Sequence, residues 1–411
     1  MGKKGHRYLA RVGVLILVAG LVLSCGPQKA ATPAPQATPV AATPVAATPA
    51  PPAPPGAPPP VGATPAPAAT APPAATPRPA TPVPTPTATP APAKPVELKA
   101  AIWTAPTFWL LTDVLEPWAR QVEKDTGGRV KMTWYPAEAL GKAKDYFDMI
   151  RSGGVDVAIF ASTYTPGLFP MSGVAELPFA VPVASTGTSV LWELYQKGYL
   201  EAEYKDIKVL WLWVGTPYQL YTAKKRVLGL EDLKGMKART PGGVMTPTLE
   251  ALGATPVSVT APEMYAAMER GVIEAISLSY AVGPGYKLQE ITKYIAEVGF
   301  GVVTLGVGMN RKVWDGLPAD VKAVLEQTSD WGRKATARAY EENDTKAQDI
   351  YYKAGVQIYS LPAAERTRWM ERTRPIWDQW VSDMEKKGLS GKKALDEFRV
   401  LSEKAGVKLP F

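Results

Sequence analysis

Residues 27–95 are almost wholly Ala, Pro and Thr, arranged in repeated ATP and PAP units. The stretch has almost no large apolar side chain to bury, so it cannot build a packed core. Its proline content favours extended polyproline II, rising about 3.1 Å per residue. About 70 such residues reach roughly 200 Å when fully stretched. A fold must therefore come from residues 96–411, which are enough for two lobes with cores of their own. The same division explains the charge. Of the formal +8, four positive charges sit at Lys3, Lys4, Arg7 and Arg11 and three at Lys29, Arg78 and Lys94, with no acid before residue 96. The folding part is close to neutral, unlike a nucleic-acid binder with its net basic face.

Ahead of the spacer, the apolar run Val12–Leu23 follows the basic residues. It is too short to span a bilayer as a helix, which needs roughly 20 residues, and reads as a secretory signal. Val22-Leu23-Ser24-Cys25 resembles a bacterial lipobox. That resemblance implies a signal peptide over 1–24, lipidation of Cys25, and a tether over 25–95. An uncleaved anchor is the alternative, and it leaves the body at the same outer face of the membrane. Cys25 is the only cysteine, so the fold must rest on its core without an intramolecular disulfide.

The only histidine is His6, in the leader. A body without His or thiol excludes Ser-His-Asp and Cys-His catalysis and His/Cys metal sites. No phosphate-binding glycine loop follows a strand. Carboxylate chemistry of the glycosidase kind remains, as does lysine chemistry, but no constellation for either stands out. The expectation is a binder without metal or cofactor, and no enzyme.

Periodicity gives a strand at Val96–Trp103, a helix at Phe108–Lys124 with Leu111, Leu115, Trp118 and Val122 on one face, and a strand at Val130–Tyr135. A helix at Lys142–Arg151 and a buried strand at Val155–Phe160 complete a βαβαβ order, which predicts a parallel sheet. Val209–Val214 is another buried strand. Short helices alternate with strands near Met236–Thr240, Thr255–Val259 and Ala275–Leu278. After a Gly-rich strand at Gly301–Met309 the chain turns helical over Pro318–Ala354, Ala363–Lys387 and Lys392–Lys404. Arg239 ends a strand at the turn Thr240-Pro241-Gly242-Gly243, where a planar guanidinium can meet a carboxylate through two parallel hydrogen bonds. A surface Arg pairing with Glu250 or Glu269 is the alternative. Trp103, Phe108, Trp109, Tyr164 and Trp213 fall near strand ends, where open α/β sheets bind ligands. Ordinary core packing is the alternative for each.

LEDLKGMKART, LGATPV and PEMYAAMERGVIEA, over residues 230–275, resemble the solute-binding proteins of TRAP transporters. TGGRVKMTWYPAEALG, the GGVDVAIF to ELPF segment and NRKVWDGLPADVKAVL add matches in the same order, so the resemblance covers most of 97–345. It implies an α/β, two-lobe periplasmic-binding-protein type II fold with mixed sheets flanked by helices and long C-terminal helices. Lobe I would comprise 96–216 with 304–345, and lobe II 217–303 with 346–411. The implied function is extracytoplasmic capture of a small organic acid and its delivery to a TRAP membrane permease, with Arg239 holding the carboxylate. The chain also departs from the pattern. Tyr218 stands where sialic acid binders carry Arg, and Leu278 stands where many members carry Asn. Ser277, Ser279 and Tyr280 remain as polar groups, which fits a less polar acid than a dicarboxylate or sialate. A receptor for an ATP-driven importer, a non-carboxylate ligand, a carboxylate-based hydrolase and a surface-display lipoprotein are the alternatives.

Overall fold

The computed structural model describes residues 95–411; the leader, Cys25 and the spacer lie outside them. From the start, β1 (Val96–Ala101), α1 (Glu116–Asp125), β2 (Val130–Tyr135), α2 (Tyr146–Ser152), β3 (Val157–Ala161), α3 (Ala184–Gln196), α4 (Glu201–Tyr204) and β4 (Ile207–Val214) follow one another. Next come β5 (Gln219–Thr222), α5 (Leu230–Leu233), β6 (Lys237–Thr240), α6 (Met245–Ala251), β7 (Thr255–Ser258), α7 (Met264–Glu269), β8 (Ala275–Leu278) and β9 (Tyr294–Glu297). The chain closes with β10 (Thr304–Asn310), α8 (Arg311–Gly316), α9 (Ala319–Lys353), β11 (Gln357–Ser360), α10 (Ala363–Thr373), α11 (Pro375–Lys386) and α12 (Gly391–Lys404).

Two sheets result. The first has the order β2-β1-β3-β10-β4 and the second β11-β9-β5-β8-β6-β7. β1 pairs in parallel with β2 and β3, as the βαβαβ order predicts. β10 then enters antiparallel between β3 and β4, which makes the sheet mixed. Gly306 and Gly308 allow this close packing. A Cβ on Gly306 would lie 2.8 Å from Leu212 and collide with Phe160, and one on Gly308 would lie 2.8 Å from Ile207. β4 is almost entirely buried. Its Trp211 meets Trp118 of α1 edge-on at 4.9 Å, and the Trp118 indole donates to the Thr328 hydroxyl of α9 at 3.1 Å.

Proline changes the course of two helices that periodicity reads as regular and continuous. Over Phe108–Lys124, the part Leu110–Leu115 winds as a π-helical turn before α1 begins. Pro117 lacks the N–H that would bond one turn back, and its ring crowds that carbonyl. The segment Ala363–Lys387 divides into α10 and α11 at Pro375, the first residue of α11, a position where the missing N–H costs nothing. α10 packs against α5 and α6, whereas α12 lies against α3. From α11, the Trp377 and Trp380 indoles donate to the carbonyls of Pro178 and Pro170. Residues 375–404 thus pack against the first sheet's half of the molecule, not with lobe II as the sequence expectation grouped them.

Candidate functional site

The parallel strands of both sheets end at one place. Trp103 and Thr104 follow β1, Thr163 and Tyr164 follow β3, Arg239 sits near the end of β6, and Ser279 follows β8. Together with Phe108, Tyr218, Leu278, Tyr286 and Tyr340, they line a narrow cavity of about 50 Å³. This is where ligands bind open α/β sheets.

Arg239 is the cavity's one cation, and its residue is only 1% exposed. Its Nε donates to the Val259 carbonyl at 2.9 Å and its Nη1 to the Ser277 carbonyl at 3.0 Å. These two bonds fix the guanidinium plane and spend two of its five N–H groups. Neither Glu250 nor Glu269 pairs with it, and no salt bridge among the described residues includes it. The cavity lining contains no Asp or Glu. A buried cation without a counter-charge is costly, and an entering anion relieves that cost. Burial pushes the Tyr164 and Tyr218 phenols up, and the neighbouring Arg239 charge offsets part of the rise in both.

The rest of the lining is apolar or hydroxylic. Trp103 lies tilted against Tyr146 and Tyr164, with ring centroids 6.0 and 5.6 Å away. The Tyr164 hydroxyl accepts the Ala261 amide at 2.8 Å, which ties the first sheet's loop to the second sheet's side of the cavity. Four buried hydroxyl oxygens in the lining, on Thr104, Thr163, Ser279 and Tyr286, have no hydrogen-bond partner.

Of the residues singled out from sequence, Arg239, Trp103, Phe108, Tyr164, Tyr218, Leu278 and Ser279 line the cavity. The others are used elsewhere. Ser277 is fully buried, with its hydroxyl donating to the Arg239 carbonyl at 2.8 Å and its own carbonyl receiving the guanidinium. The Trp109 indole donates to the Ala281 carbonyl at 2.9 Å and its ring packs edge-on against Tyr340. Trp213 is fully buried in β4. Tyr280 packs with Tyr221 and Tyr351, its hydroxyl 3.4 Å from Glu297. Sequence reasoning missed Thr163, Tyr286 and Tyr340. Tyr340 is one aromatic in a long amphipathic helix, and Tyr286 follows an irregular YAVGPG turn, so neither position carries a periodic signal.

One further group joins the elements around the cavity. Asp344 of α9 accepts the Thr216 hydroxyl at 2.6 Å and the Ala281 amide at 2.8 Å. Thr216 lies in the crossing from β4 to β5, and Ala281 lies just after β8. Burial raises the Asp344 carboxyl to about 6, and these donors offset part of the rise.

The family model of bacterial extracellular solute-binding protein, family 7, matches residues 101–383. A TRAP solute-binding protein from Rhodoferax ferrireducens T118, solved with copurified benzoate, is 30% identical. The match covers 76% of this chain and 98% of that one, with a TM-score of 0.72. A marine metagenome TRAP solute-binding protein specific for aromatic acid ligands, solved with co-crystallized 3-hydroxybenzoate, is 27% identical. That match covers 77% of this chain and 100% of that one, with a TM-score of 0.73. The C4-dicarboxylate-binding periplasmic protein DctP of Rhodobacter capsulatus is 26% identical over 272 residues, 62% of this chain and 78% of its own length.

Proposed function

The chain belongs to family 7 of the bacterial extracellular solute-binding proteins, and from that premise we propose that it captures a small aromatic monocarboxylate between its two sheets. The observation that carries the reading is Arg239, buried, held by two carbonyls and facing no carboxylate. A monocarboxylate neutralises this single cation through paired hydrogen bonds. A second carboxylate on the ligand would meet no cation in the lining and would stay buried and unpaired, at a cost of several kcal/mol. Trp103, Phe108 and Tyr164 offer aromatic walls to the rest of the ligand, in keeping with the aromatic acids bound by two of its relatives.

The two halves, 96–216 with 304–345 and 375–404, and 217–303 with β11 and α10, act as lobes that part to admit the acid. The loaded form hands the acid to a TRAP permease in the membrane, where the energy coupling resides. Lipidated Cys25 and the Pro-rich tether hold the receptor at the outer face of that membrane. Native mass spectrometry of the full chain purified without refolding tests the reading. The expected result is an added mass that releases an aromatic acid on denaturation. A retained sugar, peptide or amine in place of an acid would refute it.

A further inference from the structure

The four partnerless hydroxyls are the cavity's least explained feature. Thr104, Thr163 and Ser279 are 3%, 5% and 1% exposed as residues, and the hydroxyl oxygens of all three and of Tyr286 are buried. A buried hydroxyl normally finds a partner, so four together in one cavity point to hydrogen-bonding atoms supplied by the occupant. A carboxylate paired with Arg239 through two hydrogen bonds keeps only about two acceptor positions, too few for all four. Tyr286 is the most informative of the four. It lies 6.1 Å from the Phe108 ring. It therefore stands among the aromatic walls that would hold the body of the ligand.

Resting on the aromatic-acid reading above, we propose that the solute carries a neutral oxygen on or beside its ring, a hydroxyl or carbonyl, and that Thr104 and Tyr286 read it. Such an oxygen brings lone pairs, and in a hydroxyl a proton, to groups that otherwise stay unpaired. It adds no charge, which the single guanidinium could not balance. Unsubstituted benzoate would leave these hydroxyls unsatisfied. A site built to hydrogen-bond a ligand hydroxyl discriminates strongly against the analogue lacking it, far more than a purely apolar pocket separates neighbours in size.

Calorimetric titration of the full chain with benzoate and with 2-, 3- and 4-hydroxybenzoate tests this. At least one hydroxylated acid is expected to bind on the order of tenfold or more tighter than benzoate. In Tyr286→Phe and Thr104→Val the ratio of hydroxylated-acid to benzoate affinity is expected to fall by at least about threefold, whatever the shift in benzoate affinity itself. A merely structural role for these hydroxyls would weaken all the acids alike and would overturn the assignment. Equal wild-type affinity for benzoate and every hydroxylated acid would overturn the inference but leave the acid receptor standing. Failure of all four acids to bind would overturn both.

Discussion

At the scale of single residues, Arg239 does two tasks. Its bonds to the Val259 and Ser277 carbonyls stitch β6 to its neighbours, and its side chain lines the cavity. Arg239→Ala should therefore reduce affinity for aromatic acids by about 2–5 kcal/mol, which is about 30-fold or more, in a titration with benzoate. It should also lower thermal stability modestly, because two buried carbonyls lose their donor. Unchanged affinity would remove the carboxylate from this site. The position of Arg239 was legible from the DLKG-K-R pattern and the turn after it. Its burial was not, because a lone Arg in sequence looks the same whether it pairs on the surface or waits in a cavity. Ser277 marks the complementary limit. Its type fits a ligand contact, but strand alternation and the bond to the Arg239 carbonyl turn it into a support for the guanidinium.

Among elements, the turn between β6 and α6 is the most constrained. Gly242 and Gly243 have φ of +104° and +58°. A Cβ on Gly243 would lie 2.5 Å from the Glu176 carboxylate and 2.7 Å from Thr163. Glu176 itself is buried, and it accepts the Ser162 hydroxyl and the Thr304 amide. Gly243→Ala should keep the halves from closing fully on this contact. The expected reading is a weaker benzoate affinity with a larger radius of gyration in small-angle scattering. An unchanged radius and affinity would show that the contact does not govern closure. The pattern TPGG made the turn readable in sequence, whereas its partners on the far side of the cleft lie some 70 residues away and left no local mark. The same limit hid β9 and β11, four-residue strands whose pairing with each other is purely long-range. It did not hide β4, whose run of apolar residues declares itself. α11 and α12 were readable as helices, but their seat against the first sheet depends on the Trp377 and Trp380 bonds to distant proline carbonyls.

For the molecule as a whole, acid pH should stabilise the fold. Burial raises Glu203 to about 7 and Asp344 to about 6, against about 4 in an unfolded chain. A carboxyl with a raised folded pKa contributes stability that is complete below its unfolded value. That contribution is lost as pH rises through the folded value. The Tm should thus fall as pH rises from about 4 to about 7, and Glu203→Gln should flatten that slope in a melting series. A Tm that climbs over this interval would contradict the burial of both groups. Glu203 is also held by the Ser172 amide at 3.0 Å and its hydroxyl at 2.6 Å, so the glutamine variant keeps an acceptor there. One buried guanidinium is proposed to select a single carboxylate on an aromatic body. Paired calorimetric titrations of the full chain with benzoate and with succinate test it most directly. The expected result is that benzoate binds and that succinate binds at least about tenfold more weakly, because its second charge finds no partner. Succinate binding as tightly as benzoate, or neither acid binding, would contradict it.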